Sequence, residues 1–168
     1  MTRQEFKHTI SPIQDKLYRF ALRMMNNAPE AEDVVQEVLI KLWHQRTRLQ
    51  QIANIEAWSV RMTRNVSIDK LRMRKQSEDV SQLVDLETDL ANPEELVERQ
   101  DTFAMVEKAM QQLPEKQRMV MHLRDIEEYS YQEIAEQLAI PLNQVKVNLF
   151  RARKSVQALL TKGKINMI

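Results

Sequence analysis

The sequence predicts an all-α protein of two small helical domains joined by an acidic linker, and three observations lead there. Glycine occurs once, at Gly163, beside five prolines in 168 residues, which leaves almost no material for hairpin turns or sheet corners. Apolar residues recur at helical spacing, as in Leu17, Phe20, Ala21 and Met24 at i, i+3, i+4 and i+7. The net charge of +1 conceals strong segregation. Residues 61–77 carry Arg61, Arg64, Lys70, Arg72, Arg74 and Lys75 against Asp69 alone, residues 78–101 carry nine acids against Arg99, and residues 143–168 carry six bases and no acid.

The elements follow in order. A first helix is expected over Gln4–Met25. Asn27-Ala28-Pro29 breaks it and starts a second, because proline suits a first helical turn and Glu30, Glu32 and Asp33 complement the dipole there. The second helix runs to Trp43 with Val34, Val38 and Leu42 on one stripe. A polar stretch, Gln45–Asn54, precedes a third helix over Ile55–Lys75. Residues Gln76–Asn92 are acidic with weak periodicity and read as linker. Pro93 with Glu94 and Glu95 starts a helix that ends near Leu113, and Pro114 opens another to Ile126. Two helices follow, Tyr131–Leu138 and Leu142–Leu160, separated by Ala139-Ile140-Pro141. The domains are therefore expected at 1–76 and 101–168, with the linker at 77–100.

Several function classes are excluded on composition. Without cysteine there is no disulfide, thiolate metal site or thiol nucleophile. His8, His44 and His122 have no metal-ligand spacing to one another, and a single glycine cannot build a phosphate-cradling loop. No catalytic residue, cofactor or metal is expected. No apolar run reaches the roughly 20 residues of a membrane span, and no signal-peptide core opens the chain, so a soluble cytoplasmic protein is expected.

Tyr131–Arg153 has helix-turn-helix spacing: Ile134, Ala135 and Leu138 inward on a short helix, a tight turn, then Val145, Leu149, Ala152 and Val156 inward on the next. Small Ala135 permits a close crossing, and Ala139 stands where such turns favour glycine. Outward, the second helix presents Gln144, Lys146, Val147, Asn148, Phe150, Arg151 and Lys154, with Arg153 nearby. Amides and guanidiniums pair with base edges, apolar tips meet thymine methyls and lysines neutralise phosphates. The competing reading is a solvated cationic face of an ordinary helical hairpin.

These segments resemble a known family. Leu113-Pro114-Glu115-Lys116-Gln117-Arg118, Tyr129-Ser130-Tyr131-Gln132-Glu133-Ile134-Ala135, Val145-Lys146 and Arg151-Ala152-Arg153 are similar to region 4 of extracytoplasmic-function (ECF) sigma factors. Ala31-Glu32-Asp33-Val34-Val35-Gln36-Glu37, Trp43, Ala57-Trp58, Arg64-Asn65, Ile68-Asp69 and Leu71-Arg72 independently resemble region 2. The resemblance implies that the chain binds core RNA polymerase and directs promoter recognition, melting and transcription initiation. Asp33, Gln36 and Glu37 would dock on the polymerase clamp coiled coil. Asn65, Asp69 and Arg72, at i, i+4 and i+7 with Arg61 and Arg64 beside them, would read the minus-10 element, with Thr47–Glu56 at the position of the base-capturing loop. Region 4 would bind the flap and read the minus-35 element.

An anti-sigma factor is a further implied partner. Trp58 reads as a packing anchor, and Asp69 with Arg72 also reads as a simple intrahelical pair. The linker's carboxylates either occupy a basic polymerase channel or act as a charged spacer. Gln144, Val147 and Asn148 depart from the family's usual threonine, serine and arginine, and Ser59 and Thr63 from leucine and alanine. The alternative function is a stand-alone helix-turn-helix regulator, which would have no use for the Asp33–Gln36–Glu37 face.

Overall fold

The structure, a computed structural model, describes residues 1–80 and 102–165. Among them there is no strand. The helices are α1 (Arg3–Met25), α2 (Ala28–His44), the single turn α3 (Arg46–Leu49), α4 (Ile55–Val80), α5 (Thr102–Gln111), α6 (Glu115–Met121) continued by a π-helical turn (His122–Ile126), α7 (Tyr131–Leu138) and α8 (Leu142–Ile165). The expected helix start at Pro93 and most of the acidic segment lie outside the described residues.

Local chemistry sets the helix ends. Thr2 caps α1 reciprocally: its hydroxyl accepts from Glu5 N at 3.2 Å, and the Glu5 carboxylate accepts from Thr2 N at 2.7 Å. Asn27 caps α2 by accepting from Glu30 N at 3.0 Å. Ser130 and Glu133 form a second capping box on α7. The C-terminal ends show the consequence of a glycine-poor sequence. Asn26, Glu128 and Ala139 all take left-handed backbone, with φ of 52°, 61° and 53°. Glycine adopts that conformation without a Cβ penalty.

Ala139→Gly is accordingly expected to stabilise the protein by about 1 kcal/mol, the strain of a left-handed alanine outweighing the added freedom of the unfolded glycine. A urea midpoint that stayed put or fell would contradict the strain argument.

Three boundaries differ from expectation. The polar stretch Gln45–Asn54 contains α3, whose Leu49 is fully buried, because one apolar residue is enough to anchor a turn yet leaves no period to detect. Helix α4 continues to Val80, past the expected end at Lys75 and the domain boundary at 76, since no proline or glycine stands between them. Helix α8 runs to Ile165 instead of ending near Leu160.

The predicted stripes face inward. Leu17, Phe20, Ala21, Met24, Val34, Val38 and Leu42 are buried in a first lobe where α1, α2 and α4 pack on one another. Ile134, Leu138, Val145, Leu149, Ala152 and Val156 are buried in a second lobe formed by α5, α6, α7 and α8. The lobes touch: α1 packs on α6 and the π-helical turn, and α4 packs on α7.

Candidate nucleic-acid interface

On α2 the 100° step per residue places Asp33, Gln36, Glu37 and Ile40 opposite the buried stripe. Asp33 and Gln36 are exposed. Glu37 is engaged, 2.8 Å from Lys41 Nζ and 3.5 Å from Lys70 Nζ. The hydrogen bond from Lys41, with the Lys70 charge behind it, holds its carboxyl below the ordinary carboxylate value. Ile40 is 58% exposed at the centre of this face, an apolar residue that a period search passes over because it lies off the buried stripe. Glu30, expected only to complement the dipole, pairs with Arg74 of α4.

On α4, Arg61, Asn65, Asp69 and Arg72 are exposed, and Arg64 is half-buried and donates to Asn65 Oδ1 at 3.0 Å. No Asp69–Arg72 ion pair forms among the described residues. Trp58 packs on the core, as expected of an anchor, but also walls an open pocket of about 320 Å³ with Arg61, Met62 and Asn65. The pocket joins an aromatic surface to a cation and an amide.

The helix-turn-helix forms as expected from α7 and α8. Buried Val145, Leu149, Ala152 and Val156 define the inner stripe of α8. Val147, Phe150, Arg151 and Lys154 lie opposite it and are exposed, Phe150 at 67%. Gln144 and Lys146 flank them, also exposed, while Asn148 is half-buried and donates to Gln144 O at 2.7 Å. Arg153 departs from the expected grouping. It stands exposed on the flank of the helix and holds Asp125 through two bonds, Nε at 3.1 Å and Nη2 at 2.5 Å. Lys116 from α6 and Asn143 join the other edge, with Lys116 Nζ 3.4 Å from Gln144 Oε1. Sequence spacing missed both, because Lys116 reaches the outer face of α8 only through tertiary packing.

Between the lobes, Arg19 of α1 grips Glu127 through Nε at 2.7 Å and Nη2 at 3.0 Å. Phe20 meets the His122 ring edge-on at 5.8 Å. Arg23 Nε donates to His122 Nδ1 at 3.4 Å and Nη1 lies 3.4 Å from Glu107, while His122 Nε2 lies 3.5 Å from Glu127. Tyr129 donates its hydroxyl to Glu56, which also accepts from Lys16 at 3.0 Å. Burial lowers the pKa of His122, with Arg23 acting in the same direction and Glu127 opposing. Burial alone would raise Glu127, but His122 and Arg19 hold it at about 2.

The sign of the pH response follows. An unfolded chain takes up a proton at His122 near 6.5 and at Glu127 near 4.5, in each case above the folded value. Stability is therefore expected to fall as pH drops below about 6.5, and again from about 4.5 toward 2. Urea midpoints at pH 7.5, 5.5 and 4 read this, and His122→Gln should flatten the first step. An equal first step in that variant would remove His122 as its source.

These faces can be set beside known proteins. Residues 10–77 match the Sigma-70 region 2 family and residues 103–156 match Sigma-70 region 4. The ECF RNA polymerase sigma factor SigW of Bacillus subtilis is 28% identical over 165 residues, spanning 92% of this chain and 88% of the relative. SigE of Mycolicibacterium smegmatis is 30% identical over 154 residues, spanning 88% of this chain and 58% of the relative. This chain belongs to the ECF sigma factors. A sigma factor binds core RNA polymerase and directs promoter recognition, and that is its function.

The fold agrees with that of solved sigma factors. The structure of the sigma factor RpoE in complex with the anti-sigma factor NepR from Bartonella quintana superposes with a TM-score of 0.74 at 24% identity, covering 94% of this chain and 98% of that one. CnrH in complex with the cytosolic domain of CnrY superposes at 0.70 and 21% identity, covering 96% and 90%. The region 2 match contains the α2 and α4 faces, and the region 4 match contains the helix-turn-helix. Among the described residues no helix is long and apolar enough to cross a membrane, and no cluster of side chains could hold a metal ion.

Proposed function

We propose that this sigma factor divides its task between three faces. Asp33, Gln36 and Glu37, with Ile40 at their centre, dock on the clamp coiled coil of the polymerase. Arg61, Arg64, Asn65, Asp69 and Arg72, with Trp58 walling the adjacent pocket, read and hold the minus-10 element as it melts. Val147, Phe150, Arg151 and Lys154, edged by Gln144, Lys146, Asn148 and Lys116, read the minus-35 element, with the second lobe on the polymerase flap. Arg153 positions α8 through Asp125 and contacts DNA little. An anti-sigma factor is a further partner, the work is done in the cytoplasm, and the chain performs no chemistry of its own.

The observation that carries this reading is the outer face of α8. Over Leu142–Ile165 there is no acid, and two apolar side chains stand exposed between cations. A surface built for solubility mixes signs and hides phenylalanine, whereas a groove reader needs guanidinium and apolar tips together. The exposed Asp33–Gln36–Ile40 surface favours a polymerase subunit over a stand-alone regulator, which has no second macromolecule to hold there.

Run-off transcription with purified core enzyme and a panel of promoters tests the reading. The chain should confer promoter-specific transcripts, and their absence on every promoter would refute it. Arg151→Ala should weaken binding at a preferred promoter by about 1–3 kcal/mol and relax its sequence preference. A uniform loss on all sequences would instead mark Arg151 as a phosphate contact.

A further inference from the structure

We propose that Val147 makes this sigma factor recognise a thymine by its methyl group: the minus-35 element carries a thymine whose C5 methyl seats on Val147. The inference deepens the reading of α8 as the minus-35 reader and rests on it.

Spacing sets up the contact. Gln144, Val147, Asn148 and Arg151 stand at i, i+3, i+4 and i+7 of α8, so they form one stripe along it. Helix α6 packs on α8 and brings Lys116 to the edge of that stripe. With Asn143 these side chains line an open concavity of about 360 Å³, and Val147 is the one apolar residue in its lining. Val147 is 44% exposed, with the Gln144 amide one turn before it and the Arg151 guanidinium one turn after.

The surface is largely set before DNA arrives. Lys116 Nζ lies 3.4 Å from Gln144 Oε1, and Asn148 donates to Gln144 O at 2.7 Å, so the polar rim is tied down. The floor is stiff as well, because a β-branched valine in a helix is held close to a single χ1 rotamer. Little side-chain freedom remains to be lost on binding.

A major groove offers such a floor a single match. Among the base edges exposed there, thymine alone carries a methyl, and the other groups are donors and acceptors. Valine has neither, so an adenine or cytosine amino group pressed against it would lose water and gain no partner. Guanine would bury its O6 or N7 in the same way. Thymine instead lays its methyl on Val147 and turns its O4 to the rim, where Gln144 and Lys116 supply donors. Phe150, 67% exposed, flanks this stripe and lies outside the lining of the concavity, so it adds apolar contact without a rim to select one base. At 1.5 Å per residue, Val147 and Arg151 are about 6 Å apart along the helix, which places the thymine within about two base pairs of the base that Arg151 reads.

Holoenzyme assembled from the full chain and core polymerase tests the contact. Selection from promoters randomised across the minus-35 element should enrich a thymine near the position whose preference Arg151→Ala relaxes. Replacing that thymine by deoxyuridine deletes the methyl and keeps every hydrogen-bonding atom. Binding should weaken by about fourfold, the worth of one buried methyl-sized group. With cytosine at the same site, 5-methylcytosine should bind tighter than cytosine by a similar factor. Val147→Ala, a change on an exposed helical surface, should bring the thymine-to-deoxyuridine ratio close to one. Phe150→Ala should weaken binding to both promoters and leave their ratio at about fourfold.

A selected element without thymine, or equal affinity for thymine and deoxyuridine at every thymine in it, would overturn the inference. A ratio that survived Val147→Ala, or one abolished by Phe150→Ala, would overturn it too, the latter moving the methyl contact to the ring. A holoenzyme that selected no minus-35 sequence at all would instead overturn the assignment of α8.

Discussion

Truncating Phe20 to alanine is expected to cost about 3–5 kcal/mol of folding stability, a large part of the roughly 5–15 kcal/mol typical of a whole protein. Phe20 is 1% exposed in the buried stripe of α1 and its ring meets the edge of His122 in the second lobe. Its loss leaves a cavity lined by the apolar residues of α1 and its neighbours and removes an aromatic contact between lobes. Two probes read the result separately. Both tryptophans, Trp43 and Trp58, belong to the first lobe, whereas helical circular dichroism reports both lobes. In the unaltered protein the two urea transitions should nearly coincide; in Phe20→Ala the fluorescence transition should move to lower urea first. A shift below about 1 kcal/mol would mean the site collapses to fill the space, contrary to its packing.

The second large effect concerns polymerase. Asp33→Ala with Ile40→Ala should weaken core binding by about 2 kcal/mol or more, roughly thirtyfold, because truncated interface centres commonly lose that much. Both side chains are exposed, so thermal unfolding should barely change. Glu37→Gln is expected to have a smaller effect. Its carboxylate is already paired with Lys41 and Lys70, and part of what it gives to a partner must be taken from those ions. Fluorescence anisotropy against purified core enzyme measures both variants. Full affinity in the double variant would move the docking surface elsewhere, and an equal loss from Glu37→Gln would show that charge, rather than the apolar centre, dominates.

Much of this was legible in the sequence because helices are local. The stripe Leu17–Phe20–Ala21–Met24 and the α8 stripe from Val145 to Val156 each follow from spacing within a few turns. The outward faces followed as complements of those stripes. What escaped notice had no periodic trace. Leu49 is a lone apolar anchor, Ile40 lies off the stripe, and Lys116 reaches the α8 face from another helix. Arg153, grouped with the outward residues by sequence proximity, stands on the flank of α8 within reach of Asp125. Helix α4 runs past Lys75 because neither acidity nor weak periodicity stops a helix, and no proline or glycine stands before Val80.

By itself the sequence determined that the chain is helical, where two cationic faces lie, which side of each helix turns to solvent and which family the motifs resemble, since all of these are fixed by residues within a few turns of one another. Only the tertiary structure decided which of those residues are free to act and how the lobes meet. Arg19 and Glu127 stand 108 positions apart, and Tyr129 and Glu56 73. Their pairing depends on the packing of α1 and α4 against distant helices, and contacts across such separations leave no mark on local periodicity or charge.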